Sequence, residues 1–350
     1  MAKLESLPSI ARLSDRVIRV LGQNPGKFTL QGTNTYLIGR TNPYILFDTG
    51  VGEPTYPPIL KDALLNTADW SVPDQPIVSD IILSHRHLDH ICGLPSVLTL
   101  LSEIWSQRNP TVPYPAPRIH KYPLPTGVAD ETLQEVVGKL PKDSYALPPD
   151  GSELGVFHKL SEDQTFPLPS APSESLKILH TPGHTTDSIS LLFEPDRALF
   201  TGDTVLGHGT AVFEDLSAYL ASLRKMLWAA KSPDGNTAYE ILYPAHGAVV
   251  KQGAETIRMY IEHRLEREEQ IVEVLRSVSV SEDDGKVCTT WGITERLYAH
   301  YPVGLWEPAA RVLHLHLKKL EKDQRVRLLG GEGKETAWEL VEQTTFSEED

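Results

Sequence analysis

Short apolar runs separated by turn-forming residues dominate the first 250 residues of the chain. Runs that are rich in β-branched and aliphatic side chains and bounded by polar residues are typical of strands. Asn24-Pro25-Gly26 and residues 40–43 supply turn chemistry between such runs. The pattern predicts strands over residues 17–21, 35–39, 44–47, 77–83, 176–179, 188–193, 198–201 and 239–243.

Segments with helical periodicity alternate with these strands. Residues 94–107 and 213–228 are predicted to be helices, and a longer helix is predicted over residues 254–278. Strands that alternate with helices in this way pack as layers. The sequence therefore predicts a layered α/β fold.

Residues 108–175 depart from this pattern, because they are dense in proline and show weak periodicity. We interpret this stretch as a surface insertion with a few short elements near the mouth of the site. Long ordered loops are often functional, although a passive surface loop is the alternative.

The last part of the chain changes character again. Two shorter helical stretches over residues 293–300 and 308–320 are followed by residues 325–329, a Gly-Gly turn and residues 337–341. Two helices followed by a hairpin are the plan of a winged-helix-like module. We therefore predict a large domain over residues 1–264 and a winged-helix-like domain over residues 265–350.

Composition limits the class of protein and its partners. A chain of 350 residues suits one large domain and one small domain. No apolar run approaches the roughly 20 residues that cross a bilayer, and the N-terminus lacks a signal-peptide core. With only two cysteines, Cys92 and Cys288, the chain suits a reducing compartment. We expect a cytoplasmic protein with no membrane span.

The chemistry of the chain is concentrated in the segment that follows the apolar run over residues 77–83. His85, His87, Asp89 and His90 lie within six positions. On an extended chain, residues i and i+2 face the same side, so His85 and His87 can approach one ion together. As the chain turns into a helix, Asp89 and His90 can turn toward a second position. Imidazole nitrogens and carboxylates are the ligands that Zn²⁺ takes.

This His-x-His-x-Asp-His segment resembles the signature of the metallo-β-lactamase superfamily, and four further segments resemble its other motifs in the same order. They are residues 47–50, 181–185, 200–204 and 243–247, which contain Asp48, His184, Asp203 and His246. The resemblance implies a four-layer αββα fold with the winged-helix-like module at its C-terminal end.

The resemblance also implies a site for two Zn²⁺ ions. His85, His87 and His184 would hold one ion, and Asp89, His90 and His246 would hold the other. Asp203 would bridge the two ions, and Asp48 would support the ligands from behind. Asp89 would also carry the proton-relay role. The same ligands accept manganese or iron in place of one zinc.

Three further segments, residues 24–36, 207–216 and 313–322, resemble one subgroup of this superfamily. The subgroup contains the β-lactamase-like protein 2 endoribonucleases and the fungal thioesterases of the atrochrysone carboxyl ACP type, which release polyketides from carrier proteins. Asp203, where true β-lactamases often have a cysteine near the second ion, argues against antibiotic hydrolysis.

The two branches of the subgroup predict different partners, an acyl carrier protein thioester or single-stranded RNA. The winged-helix-like tail favours RNA, as does its basic cluster, which comprises Lys318, Lys319, Lys322, Arg325 and Arg327. Against RNA stand the formal net charge of −14 and the 18 acidic against 12 basic residues after position 262. We favour hydrolysis of an acyl thioester. The alternatives are an endoribonuclease, another ester hydrolase, or a binding scaffold, which would usually have lost metal ligands. The oligomeric state is left open.

Three weaker candidates complete the sequence reading. His208 is predicted to lie at the mouth of the pocket, and Asp215 is predicted to cap a helix. Arg264 lies on the long predicted helix, where an ion pair with neighbouring acidic residues is the default expectation.

Overall fold

Two β-sheets packed face to face form the centre of the computed structural model, which describes residues 4–149, 155–231, 237–280 and 288–341. The first sheet contains, in spatial order, β1 (Ile10–Arg12), β2 (Val17–Leu21), β3 (Asn34–Ile38), β4 (Tyr44–Phe47), β5 (Val78–Leu83), β6 (Arg118–Lys121) and β7 (Phe157–Lys159). The second sheet contains β8 (Thr165–Leu168), β9 (Ala171–His180), β10 (Ile189–Phe193), β11 (Ala198–Gly202) and β12 (Ile241–Pro244), in the spatial order β12-β11-β10-β9-β8.

Both faces of the central strands are buried, and consecutive side chains enter different cores. In β3, Leu37 points to the outer core of the first sheet, whereas Tyr36 and Ile38 point into the core between the sheets. The second sheet alternates in the same way, with Leu191 between the sheets and Leu192 on the outer side. This alternation explains why the strands appear in the sequence as continuous apolar runs.

Helices cover the outer face of each sheet. The helices of this region are α1 (Tyr56–Asp62), α2 (Leu88–Ile91), α3 (Leu94–Arg108), α4 (Glu131–Gly138), α5 (Leu216–Ala229) and α6 (Gly253–Val280). Residues of α1 and α3 share the outer core of the first sheet, and residues of α5 and α6 share that of the second. The predicted four-layer αββα arrangement is therefore confirmed. Asp215 caps α5 as predicted, because its side chain accepts a hydrogen bond from the Ala218 amide.

The prediction that residues 108–175 form a surface insertion is wrong for much of that stretch. β6 and β7 extend the first sheet by parallel pairing, and β8 forms the edge of the second sheet against β9. The sequence hides these strands because several of their inward side chains are charged. Lys121 is buried against Asp187, and His120 lies 2.8 Å from the buried Asp80 carboxylate.

The C-terminal module contains β13 (Cys288–Thr289), α7 (Thr290–Leu297), α8 (Trp306–Lys322), β14 (Val326–Gly330) and β15 (Ala337–Leu340). Its three strands form a small sheet in the order β13-β15-β14. Helix α6 runs without a break past position 265. Ile257 and Tyr260 of this helix belong to the outer core of the second sheet, whereas Ile271 and Leu275 belong to the core of the module. The helix therefore changes packing partner near the predicted boundary.

Within the described residues, no helix combines the length and the apolar character that crossing a membrane requires.

Candidate metal centre

The seven predicted metal ligands converge at one edge of the two sheets. His85 follows the end of β5, Asp203 follows β11, and His246 follows β12. His184 lies in the turn that joins β9 to β10. That turn contacts α5 so closely that a Cβ atom on Gly183 would lie 2.3 Å from backbone atoms of Tyr219, and Gly183 also has a φ of +129°. Only glycine fits this position.

Three imidazole nitrogens form the first ligand set. His85 Nε2 lies 3.0 Å from His87 Nδ1 and 3.2 Å from His184 Nε2. His87 Nδ1 and His184 Nε2 are 2.9 Å apart. Two nitrogens bound tetrahedrally to one Zn²⁺ at about 2.0–2.1 Å would be roughly 3.4 Å apart. The three nitrogens therefore have the spacing of ligands to a single ion.

The second ligand set lies beside the first. His246 Nε2 is 3.2 Å from Asp89 Oδ2, and His90 Nε2 is 3.3 Å from the same oxygen. Asp203 lies between the sets, with Oδ1 3.1 Å from His246 Nε2 and Oδ2 3.4 Å from His184 Nε2. Its two oxygens thus face different ligand sets, which is the arrangement that a bridging carboxylate requires.

Hydrogen bonds behind the ligands fix the orientation of the rings. His90 Nδ1 lies 2.8 Å from Asp48 Oδ2, and Ser84 donates to both Asp48 oxygens from its amide and its hydroxyl, each at 2.7 Å. His184 Nδ1 lies 2.8 Å from the Val212 carbonyl oxygen. A ring nitrogen that donates to these oxygens leaves the lone pair of the opposite nitrogen free for a metal.

Two buried polar atoms of the centre, His90 Nε2 and Asp203 Oδ1, lie 3.3 Å and 3.1 Å from their nearest polar neighbours, but neither makes a hydrogen bond of good geometry within the described structure. A buried polar atom without a partner is costly unless another group satisfies it. Both atoms point into the second ligand set, and a divalent cation there would satisfy both. The donor set of nitrogens and carboxylate oxygens therefore fits two divalent ions, and zinc is one metal that such ligands bind.

Two histidines of the first ligand set, His85 and His87, are held in the protonation state that binds metal. Burial, and next the charge of the neighbouring His184, lower the pKa of His87 to about 4. Burial also holds the pKa of His85 well below its usual value. These rings are therefore neutral at pH 7, with lone pairs available for coordination.

The second ligand set is electrostatically different. Burial lowers the pKa of His246, but the carboxylates of Asp203 and Asp89 outweigh burial and raise it to about 9. Burial opposes ionisation of Asp89 and Asp203, yet their histidine neighbours hold the pKa of each carboxyl well below its usual range. Both carboxylates are thus charged at pH 7, and a metal ion competes there with a proton on His246.

A groove of about 600 Å³ leads away from His184 and Asp203. One wall comes from residues 26–30 and the other from the loop that follows β11. His208 lies on the second wall, as the sequence predicts. The volume is in the range of small-molecule sites, and most of the lining is apolar.

Sequence reasoning did not find several residues that support the centre. Thr33 donates a 2.8 Å hydrogen bond to Asp89 Oδ2, and Ser84 orients Asp48. Thr33 lies inside the stretch 24–36 that carries the subgroup resemblance, so that signal was present. The Val212 carbonyl that accepts from His184 is a backbone group and leaves no signal in the sequence.

Arg264 corrects a further expectation. The sequence predicts an ion pair between Arg264 and neighbouring acidic residues. Instead Arg264 donates a 2.8 Å hydrogen bond to the Ala211 carbonyl, and its guanidinium lies 4.9 Å from the Phe213 ring centroid. It therefore joins α6 to the loop that forms one wall of the groove.

Comparison with known proteins agrees with this architecture. A profile of the metallo-beta-lactamase superfamily matches residues 28–246, and a profile of the beta-lactamase associated winged helix domain matches residues 289–338. The beta-lactamase-like protein 2 homolog of Caenorhabditis elegans is 34% identical over 326 residues, which cover 92% of this chain and 90% of that protein. The atrochrysone carboxyl ACP thioesterase of Aspergillus novofumigatus is 34% identical over 276 residues, which cover 79% of this chain and 68% of that protein.

Among solved structures, a beta-lactamase domain protein from Burkholderia ambifaria superimposes with a TM-score of 0.65 at 16% identity, covering 96% of each chain. This likeness concerns the fold. Together with the sequence matches, it confirms the predicted resemblance, and the chain belongs to the metallo-β-lactamase superfamily with the C-terminal winged helix domain associated with it.

Proposed function

We propose that this protein is a dinuclear zinc-dependent hydrolase that cleaves an acyl thioester, for example one carried by an acyl carrier protein. The observation that carries the proposal is the pair of ligand sets joined by Asp203 at the inner end of an apolar groove. The similarity to atrochrysone carboxyl ACP thioesterases supports a thioester as the substrate.

When bound, the two ions supply a water of lowered pKa and a Lewis acid for the carbonyl oxygen of the substrate. The side chains of the centre hold and orient the reacting groups. Asp89 belongs to the second ligand set and is fixed by the hydrogen bond from Thr33. We assign to Asp89 the acceptance of the proton that the attacking water loses.

The products follow from this assignment. The water oxygen bonds to the acyl carbon, and the carbon–sulfur bond breaks with its electron pair on sulfur. The proton held by Asp89 then passes to the sulfur, which gives a carboxylic acid and a thiol. A thiolate is a good leaving group, so this last transfer is less demanding than it would be for an alkoxide.

The charges of the C-terminal module weaken the case for RNA. All five residues of its basic cluster lie within 4.0 Å of a carboxylate. The pairs are Lys318–Glu321, Lys319–Glu268, Lys322–Asp215, Arg325–Glu269 and Arg327–Glu339. Nucleic-acid affinity depends largely on cations that are free to neutralise phosphates. A cluster whose charge is already balanced adds little to a phosphate-binding face.

Endoribonuclease activity on single-stranded RNA is the second candidate, and one observation favours it. Phe28 is 69% exposed beside the centre, and Lys27 Nζ lies 5.6 Å from its ring centroid. An exposed ring next to a cation is a feature on which a base can stack.

The test is a paired assay of the protein with its metal content measured. An acyl thioester and a labelled single-stranded RNA are offered side by side, with and without a chelator. We expect chelator-sensitive thioester hydrolysis that His87→Ala abolishes while the fold persists, and that Asp89→Ala lowers sharply. Asp323→Ala, in an exposed carboxylate of the module, is the matched control and keeps wild-type rates. Metal-dependent RNA cutting with inert thioesters would refute the proposal, as would full activity in a metal-free protein.

A further inference from the structure

The groove beside the metal centre has two apolar walls and one polar end. Phe28 and Leu30 contribute to one wall, and Leu206 and Val212 contribute to the other. His184 and Asp203 lie at the polar end, where the reacting carbonyl belongs under the proposed function. A substrate that places its carbonyl there extends its remaining atoms between the two apolar walls.

Three backbone carbonyl oxygens of the second wall already have hydrogen-bond partners. The Gly209 carbonyl accepts a 2.8 Å hydrogen bond from the Tyr260 hydroxyl, and the Ala211 carbonyl accepts one of 2.8 Å from Arg264. The Val212 carbonyl faces His184 Nδ1 at 2.8 Å. A nucleobase buried here would lack partners for much of its polar edge, which is costly. An apolar chain carries no such cost.

Two of the wall side chains are apolar and mostly exposed to solvent. The exposed fraction is 69% for Phe28 and 53% for Val212. A ligand lying between them would remove their surface from water, and this is the main source of affinity for an apolar group. The groove therefore gains more from an apolar ligand than from a polar one of the same size.

We propose that this groove is the acyl-binding subsite, that its occupant is an aliphatic or aromatic acyl group larger than acetyl, and that Phe28 and Val212 select for it. This inference rests on the proposed function, because it takes the thioester carbonyl to lie at His184 and Asp203. It adds the class of acyl group and the residues that recognise it.

The first test measures hydrolysis of acetyl, butyryl, octanoyl and naphthoyl thioesters of N-acetylcysteamine by the metal-loaded protein. We expect KM to fall about threefold for each added methylene until the groove is filled. Phe28→Ser raises KM for the octanoyl thioester about tenfold and leaves KM for the acetyl thioester within about twofold. Trp228→Ser is the matched control, because Trp228 is an exposed aromatic residue of α5 outside the groove (71% exposed) and its loss leaves every KM unchanged.

The second test measures binding without turnover, by calorimetry with non-hydrolysable thioether analogues of the same acyl series. If wild type binds longer acyl chains more tightly and Phe28→Ser loses this preference, the subsite is supported even if no thioester is hydrolysed. The proposed function would then fail alone. Hydrolysis with no dependence on chain length, or equal binding of all analogues to wild type and Phe28→Ser, would overturn the subsite and leave the hydrolase intact. A single-stranded oligonucleotide that binds through Phe28, with no preference among acyl chains, would also overturn it.

Discussion

At the scale of single residues, Asp48 illustrates how a buried carboxylate acts on a metal centre that it does not enter. Its side chain is fully buried and lies within 2.8 Å of the Ser84 amide, the Ser84 hydroxyl and His90 Nδ1. An asparagine has only one acceptor oxygen, so it cannot accept all three bonds. The orientation of His90, and with it the second ligand set, depends on this carboxylate.

We therefore predict that Asp48→Asn weakens metal affinity about 10–100-fold with little change in fold. Competition with a chelating indicator measures the affinity, and circular dichroism monitors the fold. Asp80→Asn is the matched control, since Asp80 is a buried aspartate that pairs with His120 2.8 Å away in the same sheet but far from the ligands. Equal loss of metal affinity in both variants would show that general damage to the sheet, and not the His90 contact, is responsible.

The residues of the centre divide into those that a sequence reveals and those that it does not. The clustering of the seven predicted ligands could be foreseen, because side chains of distinctive chemistry recur where strands end, and those strand ends meet at one edge of the sheets. Thr33 and Ser84 are common residue types whose importance comes from where the fold places their hydroxyls. The Val212 and Gly32 carbonyls near His184 and His246 belong to the backbone, so no residue type marks them.

At the scale of elements, α6 connects the C-terminal module to the metal centre. Tyr260 and Arg264 of this helix hydrogen-bond the loop carbonyls of Gly209 and Ala211, and the next carbonyl along the chain faces the ligand His184. A displacement of the helix would thus move a groove wall and a metal ligand together.

Arg264→Met tests this connection, because methionine keeps much of the apolar volume and removes the donors. We expect a loss of about 1–3 kcal/mol in unfolding free energy. We also expect a several-fold weaker metal affinity, less than the loss expected for Asp48→Asn. Arg264→Lys should restore part of the affinity. Arg276→Met, in an exposed arginine of the same helix, is the control for denaturation and metal titration. A destabilised variant with wild-type metal affinity and KM would show that Arg264 serves only the packing of α6.

His316 of α8 is buried where the module packs against α6, and its protonation makes the stability of the folded protein depend on pH. Burial, and next the charge of Arg264, lower the pKa of His316 to about 3. Arg267 and His263 of α6 and Lys319 of its own helix act in the same direction. The carboxylate of Glu268 lies 3.9 Å from His316 Nδ1.

The unfolded chain binds a proton at His316 near pH 6.5, whereas the folded protein binds it only near pH 3. Stability is therefore lost as pH falls below 6.5, by about 2 kcal/mol at pH 5 for this one group. Urea denaturation at pH 7.5 and pH 5 measures the loss, and His316→Gln should reduce the difference by that amount. His300→Gln, in an exposed histidine of the same module, should leave it unchanged. An identical pH dependence in wild type and His316→Gln would contradict the prediction.

The elements themselves were predictable where burial is purely apolar. β4 is a continuous apolar run, and β2 and β10 are apolar runs interrupted only by Arg19 and Ser190, because both faces of these strands are covered. β6 and β7 are short and contain buried or half-buried histidine and lysine, whose polar atoms are satisfied by partners distant in the chain, such as Asp80 and Asp187. No local pattern distinguishes such a strand from a loop.

At the scale of the whole molecule, helix α6 contributes side chains both to the outer core of the second sheet and to the core of the C-terminal module. The module has its own core around Trp338 and Leu317, while Val312 and Leu315 of α8 pack toward the outer core of the second sheet. The sequence predicted a domain boundary near residue 265 from a change of pattern but could not show that α6 contributes to both cores. The sequence of a long helix with continuous periodicity does not show which partner each turn contacts.

The net charge of −14 produces an electrostatic field around the molecule, and the effect of salt on activity should therefore differ between its candidate substrates. Screening shortens the reach of that field from about 30 Å at 0.01 M salt to about 8 Å at 0.15 M. An acidic carrier protein is repelled at long range, so we predict that kcat/KM for a carrier-bound thioester rises between these concentrations, by less than about tenfold. A neutral N-acetylcysteamine thioester should show no dependence and is the control.

A fall in kcat/KM with added salt would instead indicate a polyanionic substrate that binds to Lys and Arg side chains. If the productive substrate were RNA bound through Lys and Arg, added salt would lower kcat/KM steeply, since each phosphate contact releases a counterion. The ion pairs of the basic cluster argue that few such contacts are available, because releasing Lys319 or Arg325 for a phosphate leaves Glu268 or Glu269 without its partner. Measuring kcat/KM for the carrier-bound thioester and for RNA over the same range of salt concentration therefore shows whether salt raises or lowers the activity on each substrate. A steep fall with the carrier-bound thioester would show that the carrier docks on a basic face despite the charge of the whole molecule.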